Sequence, residues 1–190
     1  MEDSLKEKYR PKTLPIEKIV EETPKTKTFY VNSPEIASKT KPGQFLMLWV
    51  IESDEIPISV SKAEKDGLIG LTVEKVGDST SKLHDLKEGD LIGVRGPYGN
   101  EFDLSGDKIL MVCGGCGAAP LAFSAEKAVK NNKEVTFLLG ADNSENLLFK
   151  NRLEKLGINP IISTEDGSEG IKGLITDALK KEIKEWLVEE

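Results

Sequence analysis

A glycine-rich segment, residues 112–120, has the residue types of a phosphate-binding loop. It joins a predicted strand, Lys108–Val112, to a predicted helix, Leu121–Lys130. Glycines let the backbone approach a ligand without a Cβ in the way, and a helix N-terminus offers free N–H groups and a positive dipole end to a pyrophosphate. This strand-to-helix context favours a dinucleotide site over a tight turn without a ligand. The residues that would line it are Gly114, Gly115, Gly117, Ala118 and Pro120.

Two cysteines in the same segment, Cys113 and Cys116, have the Cys-x-x-Cys spacing. A zinc site needs four ligands, and the one histidine of the chain, His84, is far away in sequence. A thioredoxin-like redox pair is an alternative. The glycine-loop geometry favours a third interpretation, in which the cysteines fill small-residue positions beside a ligand.

Two further segments place hydroxyl groups next to irregular backbone. In residues 55–60, Pro57 interrupts a strand and Ser59 offers a hydroxyl, although an edge strand without a ligand would look the same. In residues 75–80, a strand ends at Gly77, and Ser79 or Thr80 opens a helix. Either hydroxyl could cap the helix or contact a phosphate. The segment Gly96–Asn100 is, by itself, only a turn.

The elements that position these residues change in character near residue 105. Residues 1–104 contain short strands separated by Gly and Pro turns, which predicts an antiparallel β-barrel with one short helix, Ser79–Leu86. Residues 105–190 alternate strand and helix, which predicts parallel βαβ units. The chain is therefore predicted to be a two-domain α+β protein. The predicted strands are 16–21, 27–31, 44–51, 56–60, 68–76, 90–95, 108–112, 134–139 and 160–164, and the later helices are 121–130, 147–156 and 173–188.

Asp142 follows the second predicted strand of the parallel domain. An acidic side chain at that position favours a ribose 2′-hydroxyl and repels a 2′-phosphate, so NAD is predicted in preference to NADP.

Composition excludes some classes of partner. The net charge of −7, from 26 basic and 33 acidic residues, argues against nucleic acid, which needs a basic surface. The sequence has no apolar stretch near the roughly 20 residues of a membrane span. The charged N-terminus, Met1–Arg10, does not resemble a secretory signal, so a soluble cytoplasmic protein is expected.

Several motifs in a fixed order resemble the ferredoxin reductase superfamily. They are Pro42-Gly43-Gln44-Phe45, Pro57-Ile58-Ser59, Gly77 with Thr80, Gly96-Pro97-Tyr98-Gly99, the glycine loop, and Ala119-Pro120-Leu121. Leu139-Gly140-Ala141 before Asn146-Leu147-Leu148-Phe149, and the run from Thr164 to Gly173, narrow the resemblance to the electron-transfer subunits of dihydroorotate dehydrogenases. The resemblance covers nearly the whole chain.

The resemblance implies FAD and NAD as cofactors and a role in passing electrons between them and a partner. The partner would be an FMN-containing catalytic subunit that oxidises dihydroorotate to orotate, or another redox subunit. In either case no catalytic residue is expected in this chain. The residues implied to bind the flavin are Ile56, Pro57, Ile58, Ser59, Lys75, Gly77, Ser79 and Thr80. Those implied to bind the nicotinamide cofactor are the glycine-loop residues with Asp142, Asp166 and Gly167. Two alternatives stay open: the flavin subunit of a cytoplasmic hydrogenase or ferredoxin:NADP oxidoreductase, and a non-catalytic flavin-binding module.

The sequence also departs from the family pattern. Ile56 stands where the family usually has an arginine that contacts the FAD pyrophosphate, and Lys75 or Arg95 could compensate. Cys113 replaces the first glycine of the loop. The family continues into further strands and into four cysteines for an iron–sulfur cluster, which this sequence lacks. The parallel sheet is therefore expected to be truncated. Either another chain or residues outside this sequence cover the outer edge of the Lys108–Val112 strand, or the nucleotide-binding domain is loosely held.

Overall fold

The computed structural model describes residues 10–186. The chain divides between Phe102 and Asp103 into two compact units, each with its own sheet. The predicted end of the last helix, Val188, and most of the N-terminal segment lie outside the described residues. None of the helices in the described part is long and apolar enough to cross a lipid bilayer.

The first unit is a seven-stranded antiparallel sheet. Its strands are β1 (Lys12–Pro15), β2 (Lys18–Thr23), β3 (Thr26–Asn32), β4 (Phe45–Val50), β5 (Glu55–Ala63), β6 (Leu68–Glu74) and β7 (Leu91–Tyr98), and its helices are α1 (Pro34–Ala37) and α2 (Asp78–Asp85). The strand order is β1-β7-β4-β5-β6-β3-β2. Side chains alternate between the core and the outer face, as the buried Leu46, Leu48 and Val50 of β4 show.

This sheet curls because its two outermost strands are consecutive in the chain. Only Ile16 and Glu17 separate β1 from β2. The Ile16 N–H donates to the Asp90 carbonyl at 2.9 Å, next to β7, and the Glu17 N–H donates to the Tyr30 carbonyl of β3 at 2.8 Å. Two adjacent residues thus form hydrogen bonds near opposite edges of the sheet. The sheet is curled into a half-barrel, which confirms the predicted barrel-like architecture.

The second unit is a parallel sheet with helices on both faces, as predicted. Its strands are β8 (Lys108–Gly114), β9 (Glu134–Ala141), β10 (Ile161–Thr164) and β11 (Ile171–Lys172), in the order β11-β10-β9-β8, and its helices are α3 (Ala118–Lys130), α4 (Lys150–Glu154) and α5 (Ile175–Trp186). Met111 and Phe137 pack against α3 and α4. On the opposite face Gly140 lies against Ile175 of α5, so close that a Cβ on Gly140 would be 2.8 Å from the Ile175 Cβ. Among the described residues β8 is an edge strand, paired only with β9.

Candidate functional site

The first half of β5 has a free edge. Residues 55–59 pair with β4, whereas β6 pairs only with residues 60–63. The Val60 N–H donates to the Gln44 carbonyl at 3.1 Å. Because peptide groups alternate in direction along an antiparallel strand, those of Glu55, Pro57 and Ser59 point away from β4, where no described strand pairs with them. Pro57 fits such an edge because it has no N–H to leave unpaired.

The side chains of residues 56–59 lie on two faces of β5, with the isoleucines on the core face and Pro57 and Ser59 on the outer face. Ile56 and Ile58 lie opposite the core residues Leu48 and Leu46 and are half-buried at the rim. Pro57 is exposed and Ser59 half-buried on the outer face. A flat heterocycle with polar edges fits such a surface, because apolar side chains can pack on its faces while peptide groups bond to its edge.

The start of α2 lies beside the start of β5. The Ser53 and Ser79 hydroxyl oxygens are 2.9 Å apart, and the Lys82 Nζ donates to the Glu52 carbonyl at 2.8 Å. These contacts join the turn that precedes β5 to the helix. They bring the two sequence segments assigned to the flavin, residues 56–59 and 75–80, to one side of the first unit.

Thr80 caps α2, which is one of the two roles predicted for it. Its Oγ1 accepts hydrogen bonds from the N–H groups of Val76 and Gly77, both at 2.9 Å, and donates to the Gly77 carbonyl at 2.9 Å. Gly77 itself borders open space, because a Cβ added there would meet no atom within 4 Å. Lys75 is exposed beside it.

Arg95 is engaged within the protein and does not offer a free charge. Its Nε and Nη2 donate to the two carboxylate oxygens of Glu55 at 2.8 and 2.7 Å, and its Nη1 donates to the Tyr98 hydroxyl at 2.9 Å. The hydrogen bonds and charge of Arg95 lower the pKa of Glu55. The suggestion that Arg95 compensates for the absent arginine at Ile56 is therefore disfavoured, because Glu55 already neutralises it.

The glycine loop connects β8 directly to α3. Gly114 ends β8, a 3₁₀ turn spans Gly115–Gly117, and α3 begins at Ala118, with Pro120 in its first turn. A Cβ on Gly115 would meet no atom within 4 Å, and one on Gly114 would meet only a carbonyl oxygen at 3.9 Å. The loop therefore presents open backbone at the N-terminus of a 13-residue helix, as a pyrophosphate site requires.

The two loop cysteines are free thiols in different surroundings. Cys113 is buried, donates weakly to the Leu138 carbonyl at 3.7 Å, and has its pKa raised to about 12 by burial. It is therefore protonated at neutral pH, which disfavours the redox-pair alternative. Cys116 is half-buried.

Asp142 follows β9 and is held by its own loop. Its Oδ1 accepts from the Asn143 N–H at 2.9 Å and from the Asn146 Nδ2 at 2.8 Å. The Asn143 Oδ1 accepts from the Asn146 N–H at 3.2 Å, which fixes the 3₁₀ turn that carries Asn146. Asp142 is exposed at the carboxyl end of β9, one strand from the glycine loop.

The turn after β10 supports the Asp142 loop. The Asp166 N–H donates to the Asp142 carbonyl at 3.1 Å, and the Ser144 N–H donates to the Ser168 Oγ at 2.8 Å. Hydrogen bonds from Ser168 lower the pKa of Asp166. Gly167 has a φ of 80°, and a Cβ there would be 2.9 Å from the Lys172 Cδ, so this glycine shapes the turn.

The predicted site residues thus form two groups, one in each unit: residues 56–59 with 75–80, and the glycine loop with Asp142, Asp166 and Gly167. Sequence reasoning missed the roles of Ser53, Glu55 and Asn146. Ser53 and Glu55 act across separations of 26 and 40 residues, which leave no local signal. For Asn146, the spacing of four residues from Asp142 was available as a signal.

Residues 111–190 match the profile of the oxidoreductase NAD-binding domain family. The chain is 46% identical over 170 residues to a probable dihydroorotate dehydrogenase B (NAD+) electron transfer subunit of Methanocaldococcus jannaschii, covering 90% of this chain and 63% of that protein. It is 44% identical to the corresponding subunit of Methanothermobacter thermautotrophicus, covering 89% and 63%. The chain therefore spans under two thirds of the length of these relatives.

Solved structures share the two-domain fold. An NADH-dependent reduced ferredoxin-NADP oxidoreductase matches with a TM-score of 0.80 and 31% identity, over 88% of this chain and 62% of that one. A ferredoxin-NADP+ reductase from Plasmodium falciparum matches with a TM-score of 0.79 and 16% identity, over 93% and 80%. The second likeness supports the fold alone.

Proposed function

The chain belongs to the same family as the dihydroorotate dehydrogenase B electron transfer subunits, and from this premise we propose that it is an electron-transfer flavoprotein subunit. It would bind FAD on the first unit and NAD(H) on the second, and exchange electrons with a partner subunit during oxidation of dihydroorotate to orotate. The observation that carries the proposal is the combination in one chain of an open strand edge at residues 55–59 and an open loop backbone at Gly114 and Gly115. The second unit alone would suit many nucleotide-binding proteins, whereas the pair suits a flavin reductase.

The chain's residues position and orient the cofactors. Pro57, Ile58 and Ser59 would flank the flavin ring, and the Gly77 turn would lie on the phosphate side of the cofactor. FAD, when bound, supplies the redox chemistry, because a flavin accepts two electrons as a hydride and releases them one at a time.

The second unit binds the nicotinamide cofactor by its phosphates and its ribose. The open backbone of Gly114 and Gly115 and the N-terminus of α3 accommodate the pyrophosphate. Asp142, oriented by Asn146, accepts hydrogen bonds from the ribose diol and repels a 2′-phosphate. The described residues supply position and charge, and we assign none of them to dihydroorotate chemistry.

A second candidate is the flavin subunit of a ferredoxin-NADP oxidoreductase, which the 31% identity to such a structure favours. The partner distinguishes the two. The test is to purify the native complex that contains this chain and to identify the co-purifying polypeptide. An FMN protein that oxidises dihydroorotate supports the first candidate, and an iron–sulfur or second pyridine-nucleotide subunit supports the other. A complex without FAD, or one whose flavin NADH does not reduce, would contradict both.

A further inference from the structure

The loop after β9, residues 142–146, and the turn after β10, residues 165–169, are joined by hydrogen bonds of two kinds. Near the strand ends, the N–H groups of residues 165 and 166 donate to the carbonyls of residues 141 and 142, both at 3.1 Å. These bonds involve the backbone alone and do not depend on the side chains. Further out, the Ser144 N–H donates to the Ser168 Oγ at 2.8 Å. That contact depends on the identity of residue 168, because an alanine there would offer no side-chain acceptor.

The hydrogen bond between Ser144 and Ser168 holds the part of the loop that orients the Asp142 carboxylate. Ser144 is the first residue of the 3₁₀ turn that carries Asn146. The Asp142 Oδ1 accepts from the Asn146 Nδ2 at 2.8 Å and from the Asn143 N–H at 2.9 Å. These two donors lie on either side of Ser144 in the sequence. A shift of Ser144 would therefore move both donors, and the charge of Asp142 with them.

The turn that carries Ser168 is held by hydrogen bonds of its own. The Thr164 Oγ1 accepts from the Glu169 N–H at 3.0 Å and donates to the Glu169 carbonyl at 2.7 Å. The Glu169 carboxylate also forms an ion pair with Lys150 of α4. The Ser168 N–H donates to the Asp166 Oδ1 at 2.9 Å, and the Ser168 hydroxyl also donates to that carboxylate. The Ser168 Oγ therefore has a defined position, with its proton donated to Asp166 and its lone pairs available to accept.

We propose that Ser168 is a positioning residue for the choice of nicotinamide cofactor: through the Ser144 N–H it holds Asp142 in place to select NAD(H) over NADP(H). This inference rests on the proposed function, in which Asp142 accepts hydrogen bonds from the ribose diol. Ser168 acts through the Asp142 loop and is assigned no contact with the cofactor. A carboxylate held in one position keeps its hydrogen bond to the ribose and its repulsion of a 2′-phosphate in the same place, whereas a mobile carboxylate averages both over a larger region.

The test is a fluorescence titration of the 190-residue chain with NADH and with NADPH, and the readout is the ratio of the two dissociation constants. Ser168→Ala should lower the preference for NADH by about threefold to tenfold, the factor of one net hydrogen bond. Ser168 is exposed, so the alanine variant should fold normally. Ser168→Thr keeps a hydroxyl acceptor and should keep most of the preference.

Ser105→Ala is the matched control in the same unit. Ser105 is exposed, and its N–H and hydroxyl donate to the Asp103 carboxylate in the way that those of Ser168 donate to Asp166. It precedes β8, however, and so lies at the opposite end of the parallel sheet from the loops after β9 and β10. Its replacement should leave the ratio of the two dissociation constants unchanged.

A double-mutant cycle separates positioning of Asp142 from a general structural role. In an Asp142→Asn background, Ser168→Ala should produce no further change in the ratio, because the charge that it positions is gone. An equal change in both backgrounds, or no change from Ser168→Ala in the wild-type background, would overturn the inference and leave nicotinamide binding intact. A wild-type chain that binds NADH and NADPH equally well would do the same. A chain that binds neither dinucleotide would overturn both the inference and the proposed function.

Discussion

At the scale of single residues, we propose that Asp142 determines the preference for NAD(H) over NADP(H). Two donors from its own loop hold its Oδ1, so its charge has a fixed position at the end of β9. Asp142→Arg should raise the ratio of NADPH affinity to NADH affinity by about tenfold or more, because it replaces repulsion of the 2′-phosphate with a charge-assisted hydrogen bond. Glu145→Arg makes the same change of charge at an exposed position in the same loop and is the control. Equal shifts in both variants would mean that net charge, and not Asp142, sets the preference.

The Glu55–Arg95 ion pair gives a prediction about stability and pH. Its side chains are 27% and 24% exposed, so solvent weakens the pair, and Arg95→Ala should lower the free energy of unfolding by about 1 kcal/mol. The pKa of Glu55 is lowered in the folded state. Its contribution is therefore present above the ordinary pKa of glutamate, about 4.3, and is lost as the pH falls through the lower folded pKa.

The measurement is urea unfolding of wild type, Arg95→Ala and Arg95→Lys across that pH range. The difference between wild type and Arg95→Ala should be largest at neutral pH and should shrink in acid. Arg95→Lys keeps the positive charge but cannot form the bidentate hydrogen bonds with Glu55, so its free energy of unfolding should lie between those of wild type and Arg95→Ala. A difference that does not change with pH would show that the ion pair is not its cause.

At the scale of elements, the cap of α2 is the feature on which the start of that helix depends. Thr80→Ala removes the acceptor for the N–H groups of Val76 and Gly77 and should cost about 1 kcal/mol of stability, as loss of a cap generally does. Thr80→Ser keeps the hydroxyl group and should therefore retain most of the stability that Thr80→Ala loses. Thermal unfolding of the three proteins measures the effect, and equal melting temperatures for Ala and wild type would exclude the capping role.

The elements also show which parts of the fold the sequence could predict. Alternating or continuous apolar residues revealed β4, β6, β8 and β9, because burial on one or both faces leaves a periodic signature. The four-residue β1 was missed, since its pairing partner β7 lies about 80 residues further along the chain and its own residues are mostly exposed. The helix predicted over 147–156 is shorter, Lys150–Glu154, because Phe149 takes a left-handed conformation with a φ of 65° that periodicity does not encode.

In the candidate site, too, some features could be predicted from the sequence and others could not. The glycine loop was predictable because backbone that a ligand approaches closely favours glycines, and these are adjacent in the sequence. The hydrogen bonds of Ser79 and Arg95 were not, because their partners Ser53 and Glu55 are distant in sequence. The ion pair removes Arg95 from the groups that the sequence offered for phosphate binding, because Glu55 already neutralises it.

At the scale of the whole molecule, the two sheets are separate compact units with separate cores. The proposed function assigns one cofactor to each. Substitutions in one unit should therefore lower the affinity for one cofactor and leave the affinity for the other unchanged. Neither a single shared site nor a module that binds no cofactor would give this result.

The most direct test of this account is a pair of titrations, with FAD and with NADH, on Gly114→Ala and Ser59→Val. Gly114 has ordinary backbone dihedrals and open space around its Cβ position, so the alanine variant should fold normally and lose NADH affinity only where the phosphate would meet the new methyl group. Ser59→Val adds bulk on the half-exposed outer face of β5 and should weaken FAD binding alone. The account predicts that each variant loses about tenfold or more in affinity for one cofactor and keeps the other. Loss of both cofactors in either folded variant, or of neither in both, would contradict it.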